Sequence, residues 1–469
     1  MDEKTLKELS QVVGPERLLT SPEDLVCYSY DATQPTLGQL PGAVVDPLST
    51  EEVAAILCLA NEVGFKVVPR GSGTNLSGGT IPPPEGVVLN LARMNRILEV
   101  DEENLTATVE PGVLTDELQA EVQKRGLFYP PDPASSSIST LGGNVAENAG
   151  GLRGLKYGVT KDYVLGIEVV LPTGEVITTG GKCVKDVAGY NLTQLLVGSE
   201  GTLGVVTKII LKLIPPPEAS QTMVAFYRDI EDAARAVSAI IAARVVPSTL
   251  EIMDQTTIKY VEEFKHLGLP LDVGAMLLIE VDGPKAAVGE EASRVSEVCR
   301  RIGASKVTVA QSAEEAVQLK EARKGALPAL ARVRPTIIME DVTVPRSQIA
   351  PMVKAINGIA QHHGLEIAIF GHAGDGNLHP TYMVDERDEE EMERVKASLA
   401  EILEAALALG GTITGEHGIG LKRRAFLPQK AGEAAVAAMW RRKKALDPNG
   451  ILNPGKIFLE EGLEDDSQR

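Results

Sequence analysis

The stretch GHAGDGNLH, residues 371–379, has two histidines on either side of a run of turn-forming residues. Neutral imidazole nitrogen is a common ligand of divalent metals. Residues seven apart on one straight strand face opposite sides, but Gly374, Asp375, Gly376 and Asn377 favour a tight bend. After such a bend His372 and His379 lie on neighbouring arms. The spacing therefore predicts a site at which both rings aim at one point.

A second motif, GEHGIG at residues 415–420, supplies Glu416 and His417. Adjacent side chains diverge, so we expect one of them to bind the metal and the other to face the bound molecule. The alternative is ordinary loop histidines with one hydrogen bond each. Three of the six histidines of the chain lie in these two short motifs. This combination favours a metal or proton-transfer site.

A pair of cations, Arg323 and Lys324, stands near the predicted end of a helix, beside Gly325. Such pairs often do no more than stabilise a helix terminus. The net charge of the chain is −19, however, so a small acidic substrate needs a local cation. Arginine binds a carboxylate through two parallel hydrogen bonds. Arg323 is therefore the candidate for carboxylate binding.

The overall composition excludes several classes of protein. The 469 residues are too many for one core, so two or more domains are expected. A strongly acidic chain is repelled by nucleic acid and by anionic membranes and is not expected to bind them. No apolar run reaches the roughly 20 residues that span a bilayer, and the charged N-terminus is unlike a signal peptide. We expect a cytoplasmic protein with no integral membrane segment.

Two glycine-rich segments in the first half could surround a large ligand. Residues 66–79, KVVPRGSGTNLSGG, read as a short strand and a loop with exposed backbone N–H groups, which suit a phosphate or pyrophosphate. A flexible surface loop is the alternative. Residues 130–158 are polar and too long for a simple turn, and long loops in compact domains are usually functional. This second segment suits a polar heterocycle.

The remaining segments predict ordinary elements. Ser49 and Glu52 form a capping-box pattern before a helix, and residues 164–177 read as a hairpin. The triple proline at 215–217 marks a domain boundary. Beyond it we expect helices near 230–243, 285–302, 312–330 and 347–364 and strands at 275–281 and 337–344. These elements predict an α+β domain with a sheet backed by helices.

Taken together, the chain resembles FAD-linked oxidases of the vanillyl-alcohol oxidase type. Within that group it is similar to the branch of D-lactate dehydrogenase, the glycolate oxidase large subunit and D-2-hydroxyglutarate dehydrogenase. The resemblance runs from about residue 41 to 458 and rests on motifs in a fixed order: PRGSGTNLSGG, DPASSSISTLGGNVAENAGG, GSEGTLGVVTKI, ARKGALPAL, GHAGDGNLH, GEHGIG and DPNGILNPGK.

The resemblance implies an α+β fold: a two-part FAD-binding module, then an α+β substrate (cap) domain, then a C-terminal segment that returns to the FAD module. The expected boundaries are 1–40 for a helical lead-in, 41–217 for the FAD-binding domain, 218–410 for the substrate domain, 411–458 for the segment completing the active site, and 459–469 for a frayed tail. Some members of the family that this chain resembles bind the flavin covalently through a histidine in the first glycine-rich loop. Residues 69–79 contain no histidine, so the resemblance implies a noncovalent FAD.

By the same resemblance, FAD-binding residues come from three regions and from Asn453 near the C-terminal end. Residues 69–79 would surround the pyrophosphate, 132–151 the flavin side and 201–206 the adenine and ribitol portion. The expected FAD-binding residues are Pro69, Arg70, Gly71, Ser72, Gly73, Thr74, Asn75, Gly78, Gly79, Pro133, Ser135, Ser139, Thr140, Gly142, Gly143, Asn148, Gly150, Gly201, Gly204, Val206 and Asn453.

The resemblance also implies a division of roles in the second half. His372, His379 and Glu416 would hold a divalent metal, either zinc, iron(II) or manganese, and His417 would be the base. The metal would polarise the 2-hydroxyl of a D-2-hydroxy acid while hydride passes to the flavin. Arg323, with Lys324 as a second candidate, would bind the substrate carboxylate. D-lactate or glycolate is the expected substrate.

The cysteines bear on the electron acceptor. Cys27, Cys58, Cys183 and Cys299 are scattered and form no cluster motif, so reduced FAD must pass its electrons to a separate protein, a quinone or oxygen. We expect a separate protein acceptor, an iron–sulfur subunit or an electron-transfer flavoprotein. Three alternatives stay open: a noncatalytic flavin subunit of a dehydrogenase complex, a metal-dependent hydrolase using the same His/Glu set, and a non-redox flavoenzyme of the same fold.

Overall fold

The computed structural model describes residues 1–34 and 38–459. In chain order its helices are α1 (Glu3–Val13), α2 (Pro22–Leu25), α3 (Thr50–Val63), α4 (Thr115–Gln123), α5 (Leu141–Glu147), α6 (Gly154–Tyr157), α7 (Leu192–Leu196), α8 (Ile230–Ala242), α9 (Gln255–Lys265), α10 (Lys285–Arg301), α11 (Ala313–Lys324), α12 (Ala326–Leu330), α13 (Ile349–His363), α14 (Glu389–Ala408), α15 (Leu427–Ala431) and α16 (Glu433–Leu446). Its strands are β1 (Leu18–Leu19), β2 (Ala43–Val45), β3 (Val67–Arg70), β4 (Val87–Asn90), β5 (Ile97–Asp101), β6 (Thr106–Val109), β7 (Val164–Val170), β8 (Val176–Gly180), β9 (Val205–Lys212), β10 (Ala219–Tyr227), β11 (Thr249–Asp254), β12 (Ala275–Gly283), β13 (Lys306–Val309), β14 (Thr336–Met339), β15 (Val342–Thr343), β16 (Ile367–His372) and β17 (Asn377–Val384).

The chain divides into two compact units, which are described separately. Unit 1 comprises Met1–Ala149, Val159–Pro216 and the chain from Glu416, whereas unit 2 comprises Gly150–Gly158 and Pro217–Gly415. The division at Pro216 and Pro217 falls within the triple proline. Another division falls inside the GEHGIG motif, between Gly415 and Glu416, and two more bound the segment Gly150–Gly158.

Unit 1 contains two sheets. One has the order β1-β2-β4-β3, in which β2 and β3 run parallel to β4. The C-terminal stretch joins it, since Leu452 forms a parallel bridge with Val67. The other sheet has the order β5-β6-β9-β7-β8, and its antiparallel β7–β8 pair confirms the predicted hairpin. The predicted lead-in packs here as well, because Leu9 and Val13 of α1 share a core with Val53 of α3.

Helix α3 shows how local sequence sets an element of unit 1. The Ser49 side chain accepts a hydrogen bond from the backbone N–H of Glu52, and the helix ends at Gly64, whose φ is +92°. Ser49 thus satisfies one of the N–H groups left without an intrahelical partner. Burial of Val53, Ile56, Leu57 and Ala60 gives the helix one apolar face. The predicted helix is confirmed.

Unit 2 is built on one antiparallel sheet with the order β13-β10-β12-β11-β16-β17-β14, and β15 also pairs with β17. Helices α9, α11 and α12 pack on it through a core that includes Val261, Ala322, Leu330 and Phe370. This arrangement agrees with the predicted α+β domain. Two expected elements are each divided. The helix expected at 312–330 breaks at Gly325, and the strand expected at 337–344 breaks at the buried Glu340 and Asp341.

The polar segment at 130–158 is more ordered than the sequence suggested. It was expected to be a long loop, but it contains α5 and α6. Thr140 caps α5 by accepting from the N–H of Gly143, and Leu141 and Val145, four residues apart, are buried on one face. A cap and one i, i+4 apolar pair are enough to order a short helix against a core.

Two further expectations concern a membrane-spanning helix and the C-terminal tail. Among residues 1–34 and 38–459, no helix has the length and apolar character needed to cross a bilayer. The tail expected at 459–469 lies outside the described residues beyond Leu459.

Candidate active site

The GHAGDGNLH stretch forms a hairpin in unit 2. Strands β16 and β17 pair with Phe370 opposite His379 and His372 opposite Asn377. Cross-strand partners share a face, as do residues two apart on one strand, so His372 and His379 lie on the same face. Their ring centroids are 5.2 Å apart, and both side chains are buried. The predicted bend is confirmed.

Gly376 makes the turn of this hairpin possible. Its φ is +88°, and a Cβ there would lie 2.0 Å from the carbonyl oxygen of Val344. Any other residue would clash with that backbone as well as strain its own. Gly376, the second glycine of the GDG run, is therefore required where this turn packs against Val344.

Glu251 joins His372 to Arg323. Its carboxylate accepts from His372 Nδ1 at 2.7 Å and from Arg323 Nε at 2.7 Å, and the residue is 1% exposed. Burial favours the neutral acid, but the charges of His372 and Arg323 outweigh it and lower the pKa of Glu251. An ionised carboxylate only accepts hydrogen bonds. The hydrogen bond between them therefore requires a proton on Nδ1 of His372.

The two cations proposed for the substrate carboxylate have different surroundings. Arg323 is buried, and its guanidinium carbon lies 4.8 Å from the centre of the Phe370 ring. In the described part of the chain its terminal nitrogens donate to no protein acceptor. Lys324, the next residue, is exposed. The structure thus brings Arg323 to the histidine hairpin but not Lys324.

Gly415 is packed against the same hairpin. The buried Asp341 accepts from Thr414 Oγ1 at 2.6 Å and from the Gly415 N–H at 2.8 Å. A Cβ on Gly415 would lie 2.2 Å from Thr343 Oγ1 and 2.5 Å from Asn377 Nδ2. Asn377 is the cross-strand partner of His372. The chain is therefore held at the hairpin immediately before Glu416 and His417, which begin the last part of unit 1.

In unit 1 the rest of the GEHGIG motif is held by Glu200. The Glu200 carboxylate accepts from the N–H groups of Ile419 and Gly420, each at 2.7 Å. Burial raises the pKa of Glu200, and burial together with the charge of Glu200 raises that of the neighbouring Glu147. A Cβ on Gly420 would lie 2.1 Å from the carbonyl oxygen of Ser77. Motifs far apart in sequence thus meet at residues 418–420.

Comparison with known proteins identifies the family. The family model described as FAD linked oxidases, C-terminal domain, matches residues 216–457, and the FAD binding domain model matches residues 41–180. The chain belongs to the FAD-linked oxidases. The chain is 54% identical to the glycolate oxidase subunit GlcD of Bacillus subtilis (strain 168), over 98% of this chain and 97% of that protein.

One more distant relative and one solved structure extend the comparison. The D-lactate dehydrogenase of Anaerostipes hadrus is 36% identical over 95% of both chains. The solved structure of p-cresol methylhydroxylase with substrate bound has a TM-score of 0.80, with 19% identity over 97% of this chain and 96% of that chain. That likeness shows that the FAD-linked oxidase shares the fold of a vanillyl-alcohol-oxidase-type enzyme.

Many of the residues expected to bind FAD in this oxidase come together in unit 1. The first glycine-rich loop contacts the approach to α5, since Ser72 Oγ donates to the Ile138 carbonyl and a Cβ on Gly71 would lie 2.2 Å from Thr140 Oγ1. Asn453 Nδ2 donates to the carbonyl oxygens of Gly79 and Glu200. The expected residues found on these loops, at the end of β3 or in the first turn of α5 are Pro69, Gly71, Ser72, Gly73, Thr74, Asn75, Gly78, Gly79, Ser139, Thr140, Gly142, Gly143, Gly201 and Asn453.

The other residues expected to bind FAD lie in secondary-structure elements, in a turn or in contacts with other parts of the protein. Arg70 is buried, and its guanidinium donates to the Tyr30 carbonyl at 2.7 Å. A Cβ on Gly204 would lie 2.4 Å from Val169 Cγ1, so this glycine permits close packing, and Val206 lies on β9. Asn148 ends α5 with a φ of +54°. Pro133 and Ser135 belong to the turn before α5, and Gly150 belongs to unit 2.

The close approach of these glycine-bearing loops fits FAD. Glycine is needed at 71 because a side chain would fill the space beside Thr140, and side-chain-free backbone is what a pyrophosphate requires for N–H contacts. The chain therefore carries an FAD-binding domain in which glycine lets the first loop approach Thr140 closely.

Sequence reasoning missed Glu251, Asp341 and Glu200 as parts of the site. Glu251 interrupts the apolar strand TLEIMD, and Asp341 interrupts IIMEDVTV. A buried acid within an apolar strand needs a partner, and that signal could have marked both residues. Glu200 belongs to the GSEGTLG motif, but its partners at 419 and 420 depend on tertiary structure.

Proposed function

We propose that this FAD-linked oxidase is a dehydrogenase that oxidises a small D-2-hydroxy acid, D-lactate or glycolate, to the 2-oxo acid. The names of its relatives support the substrate class, since they include a glycolate oxidase subunit and a D-lactate dehydrogenase. The observation that carries the proposal is the bridge from His372 through Glu251 to Arg323. It sets an imidazole, whose Nε2 would be the metal ligand in this proposal, beside a cation that fits a carboxylate.

We propose that His372, His379 and Glu416 hold a divalent metal. Two imidazoles and one carboxylate suit zinc, iron(II) or manganese. Support comes from the shared face of His372 and His379 and from chain connectivity. Gly415 is fixed beside Asn377, and consecutive Cα atoms are about 3.8 Å apart, so Glu416 must start close to the hairpin. The chemistry that such a metal supplies is Lewis acidity toward the substrate hydroxyl.

The protein residues would orient the substrate and move its proton. Arg323 binds the carboxylate through its two terminal nitrogens and so fixes C2 relative to the histidines. His417 accepts the proton of the 2-hydroxyl as general base. FAD, when bound, supplies the acceptor for the C2 hydride. Arg323 rather than Lys324 serves the carboxylate, because Lys324 is exposed.

The acceptor for the electrons is a separate protein in this proposal. The cysteines of the chain form no cluster motif, and the B. subtilis relative is named as a subunit. We expect an iron–sulfur subunit or an electron-transfer flavoprotein in the cytoplasm. Stopped-flow reoxidation of the reduced protein by air should be slow compared with turnover. Rapid reoxidation would identify oxygen as the acceptor instead.

The test is anaerobic titration of the full-length, FAD-loaded chain with D-lactate, L-lactate, glycolate and D-2-hydroxyglutarate. We expect stoichiometric bleaching of the flavin absorbance by D-lactate or glycolate, loss of bleaching after chelation, and recovery with added zinc or manganese. If no acid bleaches the flavin, the chain is a noncatalytic flavin subunit. If bleaching survives complete removal of metal, the proposed metal has no role in catalysis.

A further inference from the structure

Glu251 lies at a fixed position in the middle of the unit 2 sheet. Strand β11 pairs with β12 through Glu251 and Leu278 and with β16 through Ile252 and Gly371. Continuing that antiparallel register places Glu251 across from His372, so the two side chains lie on the same face of the sheet. Backbone pairing on both sides gives Glu251 little freedom to move.

Each carboxylate oxygen of Glu251 holds a different group. Oε1 accepts from His372 Nδ1 and Oε2 from Arg323 Nε, both at 2.7 Å. A buried carboxylate with two charge-assisted hydrogen bonds holds its partners in one orientation. Arg323 is also restrained from its other side by the Phe370 ring, 4.8 Å from its guanidinium carbon.

We propose that Glu251 is the positioning residue that sets both the metal-ligand tautomer of His372 and the direction of the Arg323 guanidinium. This inference rests on the proposed function, in which His372 binds metal and Arg323 binds the substrate carboxylate. One carboxylate thereby fixes the distance between His372, the metal ligand, and Arg323, which binds the substrate carboxylate. Glu251 itself touches neither the substrate nor the metal.

The consequence for His372 follows from its tautomer. A carboxylate that accepts the Nδ1 proton keeps Nε2 unprotonated and raises its basicity. An amide in place of the carboxylate is a weaker acceptor, and its NH2 group is a donor that would oppose an Nδ1–H. Arg323 would lose its fixed orientation as well. Without the hydrogen bond from Nε to Glu251, the plane of its guanidinium can rotate.

The chain offers a matched control in Glu280. This residue lies on the adjacent strand β12, accepts from Thr222 Oγ1 at 2.8 Å and pairs with Lys320. Lys320 is on α11, one turn before Arg323. Glu280 therefore holds the same helix to the same sheet without contact to His372. Glu280→Gln tests whether loss of any carboxylate under α11 produces the effect.

The experiment compares Glu251→Gln, Glu251→Asp and Glu280→Gln in the full-length, FAD-loaded chain. Affinity for zinc is measured by competition with a chromogenic chelator, and kcat and KM with D-lactate and a dye acceptor. For Glu251→Gln we expect roughly 10- to 100-fold weaker zinc binding and about a tenfold higher KM, at unchanged FAD content. Glu251→Asp should recover part of both losses, and Glu280→Gln should show neither.

The outcomes separate this inference from the proposed function. A wild-type chain that binds neither zinc, iron(II) nor manganese overturns the proposed metal site. A wild-type chain that binds zinc and oxidises D-lactate, with the same zinc affinity in Glu251→Gln, overturns the positioning role. If Glu251→Gln does not fold, 15N-histidine spectra of the metal-free wild-type chain decide. The His372 signal, assigned with His372→Gln, should show a protonated Nδ1, and a protonated Nε2 overturns the inference.

Discussion

Replacement of Arg323 by lysine tests how the substrate carboxylate is held. Arg323→Lys keeps the positive charge but loses the planar fork, since an ammonium group lies at a single point whereas a guanidinium presents parallel N–H donors. The change also removes the Nε donor that meets Glu251 at 2.7 Å. The variant therefore keeps a positive charge near the site but loses the fixed geometry of the hydrogen-bond donors.

The expected magnitude follows from the contacts that are lost. A hydrogen bond to a charged group contributes about 1.5–3 kcal/mol, and about 1.4 kcal/mol corresponds to a tenfold change in affinity. If one of two carboxylate contacts is lost, KM should rise about 10- to 100-fold. Arg323→Met should also destabilise unit 2 by about 3–5 kcal/mol, because it leaves Glu251 buried without its cation.

The assay uses initial rates of the FAD-loaded chain with a dye acceptor, on D-lactate and on its amide, which has no carboxylate charge. Wild-type protein should prefer the acid strongly, and Arg323→Lys should lose most of that preference. FAD content and melting temperature show whether the variant is folded. A folded Arg323→Lys protein with the wild-type preference for the acid would refute the assignment of Arg323.

Three further predictions concern other parts of the molecule. Lys324→Met should change KM for D-lactate by less than about twofold, because Lys324 is exposed and surface changes are usually small; a tenfold rise would show that Lys324 binds the carboxylate. Gly415→Ala should cost about 1–3 kcal/mol through overpacking and weaken zinc binding, because the new Cβ would lie 2.2 Å from Thr343 Oγ1. Removal of that hydroxyl by Thr343→Ala should restore part of the melting temperature, and an unchanged Gly415→Ala protein would contradict the packing argument. Asp254→Asn should stabilise the protein above pH 6 but not near pH 4. The urea unfolding midpoints of the variant and the wild-type protein, compared above pH 6 and near pH 4, measure this; an equal difference between the two proteins at both pH values would contradict it.

The sign of the Asp254 effect follows from its burial. Burial raises the pKa of Asp254 from 3.8 to about 6, so the folded state binds more protons than the unfolded state between these values. Stability therefore falls as the pH rises through that window and stays reduced above it. The cost at pH 7 is about 3 kcal/mol. Asparagine caps a helix as well as aspartate does, so Asp254→Asn should remove the cost and keep the hydrogen bond to Thr257.

Several elements were predictable because their signals act over a few residues. Residues close together in sequence determine three of them: the cap of α3 at Ser49, the β7–β8 hairpin and the bend between β16 and β17. The α5 helix was missed because its signal is weak. Its cap at Thr140 precedes two glycines, and the Leu141 and Val145 pair gains its stability from a core formed by distant strands.

The amino-acid sequence by itself determined that a tight bend joins two histidine-bearing strands, and that glycine-rich loops recur in the order of the FAD-linked oxidases. Tertiary structure alone decided which of two adjacent cations is buried at the hairpin, and that Glu251 links His372 with Arg323. The reason is physical. A turn depends on the conformations of neighbouring residues, whereas partners separated by 72 and 121 positions meet only through the register of β11 against β16 and the packing of α11 on the sheet.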